Sequence, residues 1–172
     1  MKQLFFTLLC MAFTSVLLAQ EKYPTPTLTP DQKFNRSVNQ YWAITAAAIS
    51  QAKVSGISPY NYGKSIGKLF APTWRNPDFD GFVKGMLWNF ESFRLAQEKP
   101  PVAKENADGS VTLMQDDKRM HTYFTNTPFN VSYEEALDYF KGITDVFASD
   151  IIHAKGSFEH QDSILVYNFK KF

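Results

Sequence analysis

The sequence predicts an α+β domain, and three observations carry the prediction. Thr29-Pro30, Ser58-Pro59 and Asn76-Pro77 each pair a cap residue with proline ahead of an apolar stripe at helical spacing. From Val102 the pattern changes to short apolar segments around Asp108-Gly109, a pair that favours tight hairpin turns. In the closing stretch Leu165, Tyr167 and Phe169 alternate with Asn168 and Lys170. Helices segregated from antiparallel strands define the class. The expected order is an N-terminal three-helix segment, an antiparallel β meander, one helix and a C-terminal β hairpin.

The first helix opens on Thr29, with Pro30 where its missing N–H costs nothing and Gln32 completing a capping box. Phe34, Val38, Tyr41, Thr45, Ile49 and Ala52 share one face, widened by Trp42 and Ala46, and Gly56 stops the run. The second helix follows Ser58, turns Tyr62, Ile66, Leu69 and Phe70 inward, and ends by Pro72. The third opens at Asn76-Pro77, with Phe79, Phe82, Val83, Met86, Phe90 and Phe93 on one side. The meander takes Val102–Glu105, Ser110–Met114 and Arg119–Thr125, with Asp116-Asp117 read as a turn.

A crossing at residues 126–131 then leads from the last meander strand to the fourth helix. Ser132 is its N-cap, and Glu135 stands where it can reach back to the cap N–H. Val131 can staple onto Ala136. Gly142 lowers helix propensity by about 1 kcal/mol relative to alanine, so it predicts close packing against a neighbour. Ile151–Phe158 and Ser163–Phe172 form the hairpin around Glu159–Asp162.

Residues 1–19 read as a signal peptide: Lys2, an apolar run from Leu4 to Leu18, and Ala19 at the cleavage point. That run is too short to span a bilayer, so no membrane span is expected after cleavage, and the protein is expected to be exported, periplasmic or secreted. Residues 20–28 are a flexible Pro/Thr linker, and 29–172 a single domain. Loss of Lys2 leaves the mature chain with 17 basic and 17 acidic residues. A neutral chain lacks the field that draws a protein onto nucleic acid, so that partner class is disfavoured. Loss of Cys10, the one cysteine, excludes disulfides, thiol nucleophiles and thiolate metal sites.

The apolar content is rich in rings: 16 Phe, 8 Tyr and 3 Trp. Such residues fill cores, and they also line ligand cavities. Trp74, in the Pro-flanked connection between the second and third helices, is a core lid or a pocket wall, and Trp88 belongs to the same aromatic set. His121 and Tyr123 fall on one face of the third meander strand, where they would be polar groups in an aromatic cavity if that face meets the helices. His153 and His160 flank the final turn and could be brought together there, yet two imidazoles need a third ligand to hold catalytic zinc. No nucleophile elbow, metal-ligand motif or cofactor motif occurs.

Gly56-Ile57-Ser58-Pro59-Tyr60-Asn61-Tyr62-Gly63, Thr125-Asn126-Thr127-Pro128-Phe129, Ser132-Tyr133-Glu134-Glu135 and the closing hairpin carry a likeness to a known group. From about Ala52 onward the layout resembles the small α+β domains of the L-2-amino-thiazoline-4-carboxylic acid hydrolase-like group, related in shape to the vinyl-reductase-type ligand-binding domains. The resemblance implies a pocket between helices and sheet. Such domains carry Cys-Pro where this chain has Thr127-Pro128, and further cysteines near the end that this chain lacks. Thr127 can keep the turn but cannot take a thiolate's role.

The functional expectation is an exported domain that binds a small, largely apolar ligand without catalysis, with Trp74, Trp88, His121, Tyr123 and Thr127 as pocket residues. One alternative is a hydrolase-like enzyme using His121 with a water or with Thr127. Another is a cell-envelope protein-interaction module. Composition and spacing do not specify an oligomeric state.

Overall fold

The computed structural model describes residues 26–75 and 77–171. The expected signal peptide and residues 20–25 of the linker lie outside the described residues. The chain divides into two units, Met1–Lys33 and Phe34–Phe172. In the first, residues 26–29 have no regular structure and Pro30 begins helix α1 (Pro30–Val54). The expected capping box forms there: the Gln32 N–H donates to Thr29 Oγ1 at 3.2 Å, and the Thr29 N–H to Gln32 Oε1 at 2.9 Å.

The second unit is α+β. Its further elements are α2 (Pro59–Phe70), a 3₁₀ turn (Ala71–Trp74), α3 (Phe79–Ser92), β1 (Val102–Glu105), β2 (Val111–Asp116), α4 (Lys118–Thr125), α5 (Tyr133–Val146), a π turn (Phe147–Ile151), β3 (Ala154–Gln161) and β4 (Ile164–Lys171). The four strands form one antiparallel sheet in the order β1-β2-β4-β3. Leu113, Leu165, Tyr167 and Phe169 are buried on one face of this sheet. Fully burying such a side chain is worth about 1.5–3 kcal/mol, so these strand positions anchor the core.

Several start and stop signals act as the residues suggest. Gly56, at φ 77°, ends α1. Its N–H bonds the Lys53 carbonyl, and the Ile57 N–H bonds that of Ala52, the paired bonds of a left-handed helix stop. Ser58 caps α2 through the Asn61 N–H. For α3 the expected cap, Asn76, lies outside the described residues. Asp78 caps that helix instead, accepting from the Gly81 N–H at 2.7 Å.

At α5 both halves of the expected box are present: Ser132 Oγ accepts from the Glu135 N–H, and Glu135 Oε2 accepts from the Ser132 N–H. Lys53 of α1 closes on the same carboxylate at 2.6 Å. Burial works against the charged form of Glu135, but Lys53 and the Ser132 N–H hold its carboxyl below the ordinary value. Such a group adds stability above its unfolded value of about 4.3, and that increment is lost as pH falls through the lower folded value. Ser132→Ala is expected to cost about 1 kcal/mol in urea unfolding at neutral pH, with a smaller penalty once Glu135 is protonated.

Three expectations are corrected. Arg119–Thr125 is not a strand of the meander but lies within α4, so the crossing at residues 126–131 joins two helices. Met120 and Phe124, four residues apart, are both buried, and that spacing serves a helix as readily as alternation serves a strand. The place of the third meander strand beside β2 is taken by β4. The hairpin is also shifted: Ile151 belongs to the π turn, and the reversal falls at Asp162-Ser163, with φ 46° and 66°. Gln161 pairs with Ile164, so the loop is the two-residue kind that needs left-handed backbone, which aspartate tolerates. Finally, Leu69 does not turn inward but is exposed, because the buried face of α2 is made by Gly63 and Gly67, while Phe70, though exposed, lines a cavity between the helices and the sheet.

Candidate functional site

The sheet's inner face and the helices do not close completely. Between them, wholly within the second unit, lies a cavity of about 710 Å³. A volume of this size falls in the range of small-molecule sites. Apolar stripes that the sequence marks as core supply much of its wall. Phe90 of α3 and Phe140 and Ile143 of α5 are half-buried, and all three line the space.

Trp74 forms one wall. Its ring lies 5.1 Å from Phe82 and 5.4 Å from Phe147, and its place depends on Gly85 of α3. A Cβ at Gly85 would stand 2.6 Å from the Trp74 ring. Trp88 lines the cavity from a largely solvent-exposed position, 72% accessible. Farther in, Phe90 packs on Tyr167 of β4 at 5.0 Å.

The opposite end is polar and is built around Arg119 of α4. Its guanidinium lies 5.1 Å from the centre of the Trp42 ring and donates to the Phe93 carbonyl. Glu98 Oε1 approaches its Nε at 2.9 Å, yet that N–H is buried without a hydrogen-bond partner, so the pair is a charge contact off the N–H axis. Burial pulls the Arg119 pKa down and Glu98 opposes it; a guanidinium nevertheless stays charged. Arg94 pairs with Glu91 at 2.6 Å and donates to the carbonyls of Leu95 and Glu98, which shapes the 93–98 connection beside the cavity.

Of the expected pocket residues, Trp74 and Trp88 line this cavity, whereas His121, Tyr123 and Thr127 do not. His121 and Tyr123 do not share a sheet face, since two residues apart on a helix they point in different directions. The Tyr123 ring packs on Trp42 at 5.4 Å, behind the wall. Thr127 Oγ1 is buried without a partner. His153 and His160 stand at opposite ends of β3, about 20 Å apart at strand rise, so the final turn does not bring them together.

A second polar constellation was not legible as one. Asp117, only 2% exposed, sits between β2 and α4. Its Oδ2 accepts from the Tyr133 hydroxyl and lies 3.2 Å from His160 Nε2, while Oδ1 is buried without a partner. The Asp117 N–H donates to the Ser163 carbonyl in the hairpin turn, and its carbonyl accepts from the His121 N–H. His121 meets the Tyr133 ring edge-on at 4.5 Å. Burial, and then the hydrogen bond to Asp117, push the Tyr133 hydroxyl pKa well up, so it stays a donor. A carboxylate beside an imidazole is part of a hydrolytic triad, but here the pair is a 3.2 Å approach with no hydroxyl nucleophile shown at His160 among the described residues. Nor does any group of three His, Cys, Asp or Glu among the described residues form a metal-binding set.

The sequence signal for this hub was the Asp116-Asp117 pair, which turn chemistry explained too readily. Gly85 and Arg119 carry no local signal for the site, and alternation marks Tyr167 only as a residue of one strand face. No family model, no curated protein and no solved structure matches the chain.

Proposed function

We propose that this chain is an exported α+β domain that holds a small, largely apolar ligand between its helices and its sheet. The cavity of about 710 Å³ walled by Trp74, Phe90, Phe140 and Phe147 carries the reading. Ring-lined concave space with a few polar groups at one end is the usual form of a small-molecule site. The likeness to the amino-thiazoline-carboxylate hydrolase-like domains supports the same location, and Thr127 in place of the group's cysteine favours binding over catalysis. Export is supported by the apolar run from Leu4 to Leu18 behind Lys2, with Ala19 at the cleavage point.

The test uses a neutral naphthylamine dye whose fluorescence rises in apolar surroundings, together with native mass spectrometry of protein purified from its own source. One dye per chain, or a retained small molecule, is the expected result. Gly85→Leu must push Trp74 into the space and is expected to weaken dye binding at least tenfold, with unfolding measured in parallel to verify the fold. A folded wild-type chain that takes up neither dye nor ligand would sink the proposal.

A further inference from the structure

We infer that the ligand is an amphiphile with a single carboxylate, its charged end against Lys99 and Gln115 and its apolar body directed toward Trp74 and Phe147. This rests on the pocket reading above and adds the chemistry of one end.

The cavity is polarised. At the Trp74 end the wall is aromatic and aliphatic, and its two hydroxyls already serve helix backbone. Thr73 donates to the Phe70 carbonyl at 2.7 Å and Thr144 to that of Phe140 at 2.9 Å. Neither hydroxyl is left over for a charged group.

The charges at the other end can be taken one by one. Arg94 is held by Glu91, and Arg119 by Glu98. Asp116 keeps its charge, bonding only the Lys118 N–H among the described residues, through Oδ1 at 3.0 Å, and strand alternation turns it to the opposite side of β2 from Gln115. The Lys99 ammonium remains, a lining cation with no acceptor among the described residues. The Gln115 amide also lines the cavity, with no hydrogen-bond partner among the described residues. Gln115 shares its side of β2 with buried Leu113, so a polar group stands on an otherwise apolar sheet face. Both residues belong to the same end of the β1–β2 pair: Val102 is paired with Met114, Lys99 lies three residues before the first and Gln115 directly follows the second.

An ammonium and an amide N–H on one side of an apolar cavity suit an acceptor with two oxygens and a negative charge. A carboxylate meets both with charge-assisted hydrogen bonds, an alcohol meets them weakly, and an ammonium head is repelled.

Displacement of the bound dye by dodecanoate, dodecanol and dodecylammonium separates these cases. Dodecanoate is expected to act at about one-tenth the concentration of dodecanol, with dodecylammonium the poorest. Lys99→Gln, an exposed change, is expected to remove the tenfold advantage and leave dodecanol unaffected. Gln115→Leu is expected to reduce the advantage in part. If dodecanol or dodecylammonium equals dodecanoate, or Lys99→Gln leaves the preference intact, the carboxylate inference fails while the pocket stands. If the dye binds and none of the three displaces it, the inference fails likewise. If no dye binds at all, the pocket reading itself has failed.

Discussion

Gly142→Ala is expected to destabilise the protein by about 3 kcal/mol or more, and Gly63→Ala by a similar amount. The two glycines form a reciprocal contact between α2 and α5. A Cβ on Gly142 would lie 2.2 Å from the Tyr60 carbonyl oxygen, and a Cβ on Gly63 would lie 2.0 Å from that of Tyr139. In each case the obstacle is helix backbone, which cannot swing aside as a side chain can. The helices would have to separate, and that would disturb neighbouring contacts such as the Tyr62–Tyr139 ring pair at 5.7 Å. Gly67 extends the seam, since its Cβ would meet Val146 at 3.0 Å.

Alanine has the higher helix propensity, by about 1 kcal/mol, so each substitution favours an isolated helix while disfavouring the fold. Chemical denaturation is the measurement. A midpoint unchanged from wild type for Gly142→Ala would show that the helices do not approach as described. Gly85→Ala is the useful contrast. Its obstacle is the Trp74 ring, a side chain, so it should cost less stability and act mainly on the cavity.

These glycines also show what the sequence could convey. A glycine within a helical stripe announces close approach, and Gly142 was legible on that ground. Its partner Gly63 was not, because the apolar residues around it offered a conventional inward face at Leu69 and Phe70. Leu69 faces solvent and Phe70 is displaced to the cavity wall, because a seam of glycines brings α2 so close that its large residues must lie elsewhere.

Caps were legible because their chemistry is local: Thr29, Ser58 and Ser132 each act within three residues. The segment Arg119–Thr125 is a helix where alternation predicts a strand, because seven residues fit either period and the choice is made by burial of Met120 and Phe124 against distant elements. The cavity was legible in kind but not in address. Aromatic content implied a lined space, and Trp74 and Trp88 fell on it. His121 and Tyr123 were assigned through a strand that does not exist, and Arg119 became prominent only once α4 placed it over Trp42.

Asp117→Ala should be comparably damaging, with an expected loss of about 3 kcal/mol, because one buried carboxylate meets both Tyr133 of α5 and His160 of β3. It stands between β2 and α4, accepts from Tyr133 at the start of α5, and meets His160 of β3, while its backbone holds the hairpin turn through the Ser163 carbonyl. Removal of the side chain leaves the Tyr133 hydroxyl buried without an acceptor and takes the carboxylate away from His160 Nε2. Two milder variants resolve the parts. Asp117→Asn keeps an acceptor for Tyr133 and discards the charge, so it is expected to lose about 1 kcal/mol. Tyr133→Phe strips a second bond from a carboxylate whose Oδ1 already lacks one, and about 1.5–3 kcal/mol is expected there.

The hub also bears on the cavity. Asp116 and Arg119, on either side of Asp117 in the chain, line its polar end, and the negative charge of Asp117 adds to burial in raising the Tyr167 hydroxyl pKa. Asp117→Asn is therefore expected to stay folded yet change the preference among dodecanoate, dodecanol and dodecylammonium. Dye affinity and ligand preference equal to wild type in a folded Asp117→Asn protein would restrict the hub to a structural role.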